Sequence, residues 1–180
     1  MTKPKCDQPF SAQADEILEV LDARDRPFML MPRKQALRQN LPLKAALVVV
    51  RDQNGKIYIH QRAKKKSTYA RTWTVSAAGY VKAGEALEDA ALRELAEELS
   101  VTSAKLKLAA TARPSPATDN SLVALFLSSP AQVIITADPS EISGGMFVDK
   151  DELSALLRDM PELIAPALKW AHAVCDLFGA

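Results

Sequence analysis

Gly79-Tyr80-Val81-Lys82-Ala83-Gly84-Glu85 runs on through Ala86-Leu87-Glu88-Asp89-Ala90-Ala91-Leu92 into Arg93-Glu94-Leu95-Ala96-Glu97-Glu98-Leu99-Ser100-Val101, and this stretch decides how the chain is read. At roughly 100° per residue, Glu94, Glu97 and Glu98 fall within an arc of about 100° on one side of a helix. Leu87, Ala91, Leu95 and Leu99 form an adjoining apolar stripe that can bury the helix against a core. Carboxylates at such spacings repel one another, and a hard divalent cation relieves the repulsion because carboxylate oxygens are the ligands it prefers. A glutamate-rich helix on its own is commonly a solvated face. The segment before it argues otherwise: Gly79 and Gly84 are expected to bracket a tight loop, and Glu85 to open the helix at the positive end of its dipole. Arg93 can steer a neighbouring carboxylate or grip a substrate oxygen through two parallel hydrogen bonds.

Taken together, these residues resemble the Nudix box: glycine, five residues, Glu, seven residues, then Arg-Glu-aliphatic-x-Glu-Glu-x-Gly-aliphatic. The chain departs from it only at Ser100, where the box has its second glycine. A residue just past a helix often turns left-handed, which costs a non-glycine roughly 1 kcal/mol. Either Ser100 carries that strain or the helix ends differently.

The rest of the chain is consistent with this reading. Its 180 residues suit a single domain from residue 15 onward, preceded by a flexible tail over 1–14. A net charge of +1 gives no support to a surface that coats nucleic acid. Cys6 and Cys175 lie near opposite ends without paired spacing, which argues against a disulfide framework or a zinc site. No apolar run approaches membrane-spanning length, so no membrane partner is expected and a cytoplasmic protein is the default.

Strands are expected at Glu16 to Leu21, Ala45 to Val50, Lys56 to Arg62, Lys105 to Ala109, Leu122 to Leu127, Val133 to Ile135 and Met146 to Val148. Asp22 to Pro27 reads as a turn, and Asp52-Gln53-Asn54-Gly55 as a hairpin joining Lys56 to Arg62 to the strand before it. In that returning strand Ile57 and Ile59 face one way, Tyr58 and His60 the other. Short helices are expected at Arg33 to Gln39, at Lys150 to Arg158 behind Asp149, and from Pro166 to about Phe178. Strands interleaved with a few helices imply an α/β sandwich with a mixed central sheet, the α/β/α arrangement that the resemblance also implies.

Upstream of the box, QRAKKKSTYARTWTVSAAG is similar to isopentenyl diphosphate isomerases and their hydrolytic relatives, with Arg62 and Trp73 keeping an eleven-residue interval. Arg38 and the helix around it extend that likeness. Yet Ala78 stands where those isomerases carry a reactive cysteine, and Tyr80 where they carry a histidine. Alanine cannot supply a proton, so isomerase activity is not expected.

The resemblance therefore implies a hydrolase that cleaves a diphosphate linkage in a nucleoside diphosphate derivative or a similar small metabolite, using Mg2+ or alternatively Mn2+. It assigns metal binding to Glu94, Glu97, Glu98 and the Gly79 carbonyl, with Glu85 and Arg93 orienting them. Arg62 and Lys66 would hold substrate phosphates, and Glu141, in DPSEISGG, is the downstream candidate for the general base. For Glu141 an ordinary exposed loop acid is an equal reading, and for the lysine run a solvated loop is the default. A metabolite-sensing module without turnover is the competing class, although such modules typically lose box carboxylates. A homodimer is compatible with all of this.

Overall fold

The computed structural model describes residues 15–179, so the expected tail and Cys6 lie outside the described residues. The described chain opens with an antiparallel hairpin of β1 (Ile17–Leu21) and β2 (Pro27–Pro32). Its turn is closed by the Asp22 carboxylate, which accepts from the amides of Arg24 at 2.8 Å and Arg26 at 2.9 Å. β2 was not expected, since only a turn over Asp22 to Pro27 was read between β1 and α1. Pro27 and Pro32 sit at the ends of the strand, where a missing amide costs no ladder bond. α1 (Arg33–Arg38) follows, as its pattern predicts.

β3 (Leu43–Val49) is the β-branched run, and Ala46 to Val50 are all buried. The Asp52 turn then reverses the chain, with the Asp52 amide donating to the Lys56 carbonyl at 2.9 Å. β4 (Ile57–Arg62) does not go on to pair with β3, contrary to the hairpin expectation. The two strands share only a bridge between Arg51 and Ile57 and the bond from the Tyr58 amide to the Val50 carbonyl. Beyond it lie two short strands, β5 (Trp73–Thr74) and β6 (Ala77–Tyr80), then the box helix α2 (Leu87–Leu99). β7 (Leu106–Ala112), β8 (Ser121–Ser128) and β9 (Ile142–Val148) complete the strands, and α3 (Lys150–Asp159) and α4 (Pro166–Val174) the helices.

The strands form a mixed four-stranded sheet in the order β6-β3-β8-β7, with β3 and β8 parallel, and an antiparallel sheet in the order β5-β4-β9. One core lies under α2, where Ala91, Leu95 and Leu99 meet Val48, Tyr58 and Phe126. A second lies on the opposite side, where Leu153 and Leu168 from α3 and α4 meet Leu47, Ile57, Ile59 and Leu125, and a smaller third joins Leu18, Val20, Met31, Ala36 and Leu43. The architecture is thus the α/β/α sandwich with a mixed sheet that the alternation of elements predicts. β4 alternates between the first two cores as its period-two pattern requires.

Two smaller expectations fail for local reasons. Val133 to Ile135 is not a strand, since the backbone next to it is taken up by the end of α2: the Thr136 amide donates to Leu99 at 3.0 Å and the Asp138 amide to Glu98 at 2.9 Å. The last carbonyls of a helix lack partners within it and compete for such donors. α4 stops at Val174 rather than near Phe178, with Cys175 already extended.

Candidate functional site

α2 carries Glu88 and Asp89 in its first turn, where negative charge suits the helix dipole, and it buries Ala90, Ala91, Leu95 and Leu99. It ends at Ser100, whose φ of 57° and ψ of 27° are left-handed. Ser100 therefore adopts the conformation for which the motif usually has glycine. Its amide donates to the Ala96 carbonyl at 3.1 Å, and its hydroxyl donates to the Thr136 carbonyl at 3.1 Å, which helps hold a strained backbone in place.

The glycines before the helix play different parts from the expected loop bracket. Gly84, with φ of 76°, does make the turn. Gly79 instead lies inside β6, paired with Ala46 of β3. A β-carbon there would overlap the Glu94 carboxylate, so the missing side chain is the space that Glu94 occupies. Glu85 likewise precedes the helix rather than opening it, because α2 begins at Leu87. Its Oε2 accepts from the Lys82 amide at 2.9 Å.

Arg93 binds the carboxylates into one network. Nε and Nη2 meet the two oxygens of Glu85 at 2.8 and 3.0 Å, Nη1 meets Glu94 at 2.6 Å and Glu97 at 3.3 Å, and Nη2 also donates to the Tyr80 carbonyl at 3.1 Å. Burial alone would raise the Glu85 carboxyl, but the Arg93 guanidinium and the Lys82 amide hold it below the usual carboxylate range. At Glu94 the balance reverses: burial pushes the carboxyl up against the opposing pull of Arg93.

Glu98 is the most confined of the acids, at 7% exposure. Its Oε2 is buried with no hydrogen-bond partner among the described residues. Burial, and then the charges of Glu94 and Glu141, push its carboxyl up to about 8. Glu97 differs, with a side chain 54% exposed and turned toward Arg93 and toward Lys82 at 3.9 Å. The helix therefore points Glu94 and Glu98 inward and leaves Glu97 at the rim. Among the described residues no three acidic, imidazole or thiol groups converge as a finished coordination sphere. The chemistry of the donors nonetheless fits a hard divalent cation: an orphaned, buried carboxylate oxygen beside a second buried carboxylate is costly without a cation or a proton.

The loops that carry Lys66 and Glu141 meet through the bond from the Ala63 amide to the Glu141 carbonyl, and the charges of Arg62, Lys66 and Glu141 all act on Glu98. Lys66 Nζ pairs with Glu141 Oε2, and neither side chain is fully exposed. Arg62 Nε donates to the Thr68 carbonyl at 3.2 Å, while Lys64 and Lys65 are exposed with no ion pair among the described residues. His60 is buried, with Nδ1 at 3.0 Å from the Ser76 carbonyl, and burial pushes its imidazole down to about 4. His60 is therefore a packed residue of β4. His172, in contrast, is exposed on α4. Trp73 is half-buried against the second core.

Sequence reasoning missed two contributors. Glu16 pairs with Lys82 at 3.4 Å and adds its charge to the surroundings of Glu94, and Asp138 ties the Glu141 loop to the end of α2. Lys82 lies between the two glycines, which was a signal of a loop near the site. Nothing in the local pattern marks Glu16 or Asp138.

The NUDIX domain family matches this chain over residues 41–171, which includes the whole of α2 and both edges of the acid cluster. The chain belongs to the Nudix family. An uncharacterized Nudix hydrolase of Streptomyces coelicolor is 35% identical over 91 residues, covering 51% of this chain and 50% of that protein. Isopentenyl-diphosphate Delta-isomerase 2 of Photorhabdus laumondii is 35% identical over 85 residues, covering 47% of this chain and 48% of that protein. The matched region thus spans about half the length of these curated relatives. In fold, the crystal structure of DR0079 from Deinococcus radiodurans is similar with a TM-score of 0.78 at 24% identity, over 89% of this Nudix chain and 100% of that one. The expected resemblance to both Nudix hydrolases and isomerases is therefore present.

Proposed function

We propose that this Nudix protein is a Mg2+-dependent pyrophosphohydrolase that cleaves the diphosphate linkage of a nucleoside diphosphate derivative or a similar small phosphorylated metabolite, with Mn2+ able to substitute. One observation carries the reading: the buried, partnerless Glu98 oxygen beside Glu94, with the charges of Arg62 and Lys66 acting on it. Such an arrangement asks for a cation at the acids and an anion at the basic groups.

On this reading Glu94, Glu97, Glu98 and the Gly79 carbonyl would hold the cation. The cation would neutralise charge on phosphate oxygens and make a bound water more acidic. Glu85 and Arg93 fix Glu94 in orientation, since Arg93 grips both at once. Arg62 and Lys66 bind the phosphates, and Glu141 accepts the proton of the attacking water. The partner is a small diphosphate and not nucleic acid or membrane; no helix among the described residues is long and apolar enough to cross a bilayer.

Similarity to an isopentenyl-diphosphate isomerase favours one competing reading. Ala78 argues against it: half-buried in β6 next to Gly79, it offers no proton where an alkene would have to be protonated. Phosphorus NMR or chromatographic detection of the cleaved phosphomonoester or pyrophosphate products from nucleotide sugars, dinucleotides, nucleoside triphosphates and prenyl diphosphates, each with and without Mg2+, tests the proposal. Turnover of at least one with Mg2+ and none with EDTA is expected. A protein that binds these compounds but cleaves none would instead be a metabolite-sensing module.

A further inference from the structure

Lys66 and Glu141 are 75 residues apart in sequence, yet their loops are joined through the backbone as well as the side chains. The Ala63 amide donates to the Glu141 carbonyl at 2.8 Å, and the Lys66 amide donates back to Ala63 at 3.1 Å. On the other side the Glu141 amide donates to Asp138 at 3.1 Å, and the Asp138 amide to Glu98 at 2.9 Å. The Glu141 backbone is thus anchored both to the basic loop and to the end of α2, and only its carboxylate is left to be steered. Lys66 steers it. The two neighbouring lysines pair with nothing among the described residues, so the ion pair is particular to one position of the run.

We propose that Lys66 changes partner during the reaction: it holds the Glu141 carboxylate in the free protein and passes to a phosphate oxygen when a diphosphate binds, which releases Glu141 only in the substrate complex. This rests on the pyrophosphohydrolase reading above. An ammonium is a compact charge on a flexible stem, with three donors to distribute. A diphosphate offers it more negative charge and more lone pairs than a single carboxylate oxygen does. The exchange needs side-chain rotation alone, because the backbone ties are independent of both side chains. Lys66 keeps its three protons throughout, and no covalent bond changes. Lys66 is on this account a positioning residue for Glu141 as well as a phosphate contact. The acceptor for the water's proton stays engaged until a doubly charged group arrives.

The test is a double-mutant cycle on the full chain with Lys66→Met, Glu141→Gln and the double variant, read by binding of methylenediphosphonate with Mg2+ in calorimetry. Glu141→Gln removes the competitor for Lys66, so it should bind this non-hydrolysable diphosphate roughly three- to tenfold more tightly than wild type. The gain should vanish in the Lys66→Met background. A gain of the same size in both backgrounds would mean simple relief of negative charge and would overturn the exchange, as would no gain at all. Lys65→Met should behave as wild type throughout, and thermal melts check that each variant is folded. Wild-type turnover with Mg2+ tests the underlying reading separately. An active wild type with a purely additive cycle removes only the exchange, whereas an inactive wild type removes the hydrolase.

Discussion

Gly79 and Glu94 share one volume: the carboxylate of the helix residue lies where the strand residue would carry a β-carbon. A glycine in the interior of a strand weakens it, and here the vacancy positions an acid. Gly79→Ala should therefore separate site from fold. The displaced group is the far end of a flexible side chain, so the protein should still fold, with stability lower by about 1–3 kcal/mol. Mn2+ affinity of the free protein, followed by electron paramagnetic resonance, should fall at least about tenfold, since Glu94 cannot keep both its place and its Arg93 contact. Unchanged Mn2+ affinity would remove Glu94 from the metal site.

Glu98 makes the metal-free protein sensitive to alkali. Its carboxyl is raised to about 8 in the fold against roughly 4.3 in an unfolded chain. The sign follows from proton binding: between those values the folded state holds the proton and the unfolded state does not. The associated stability is full below about pH 4 and is lost as pH rises toward 8, on the order of a few kcal/mol. With EDTA present, the melting temperature of wild type should fall relative to Glu98→Gln from pH 5.5 to 8.5. Parallel curves for the two proteins would mean that Glu98 is not confined as described.

Turnover should depend on both rim and buried acids. Glu97→Gln and Glu98→Gln each keep size and remove a charge, and each should reduce kcat at least about a hundredfold, comparable to the loss of one strong electrostatic element. Their stabilities should diverge, because Glu97 is half-exposed and Glu98 is not. In metal-free buffer near pH 8 only Glu98→Gln should raise the melting temperature. Wild-type rates in both variants would sink the metal assignment.

Isopentenyl diphosphate should not be converted to its allylic isomer, whatever the similarity to isomerases. With alanine at position 78 no donor is present at that point of β6. Proton NMR of the incubated compound should show unchanged substrate or its hydrolysis products, and isomer forming at an enzyme-like rate would refute this.

How much of this was legible follows from the range of the interactions involved. The α2 acids, the Arg93 grip and the α/β/α order come from spacings within one helix or one strand, and such patterns are written locally. Gly79 was read as a turn glycine because its true constraint, the Glu94 carboxylate, lies across an element boundary. β2 was missed since Phe28-Met29-Leu30-Met31 is apolar without interruption, which gives no alternation to detect. β4 was given the wrong partner because a period of two fixes faces and not neighbours. Lys66 and Glu141 were each singled out, but their pairing across 75 residues has no local signature.

β4 sends Ile57 and Ile59 into the core beneath α3 and α4 while Tyr58 enters the core beneath α2. β3 and β8 do the same, with Val48 and Phe126 on one side and Leu47 and Leu125 on the other, so neither core can lose its packing while the other keeps a complete wall. Melting should accordingly be a single all-or-none event, with the calorimetric and van't Hoff enthalpies equal. A protein whose acids repel one another along α2 thus draws, through these strands, on the cohesion of a second core built from apolar side chains.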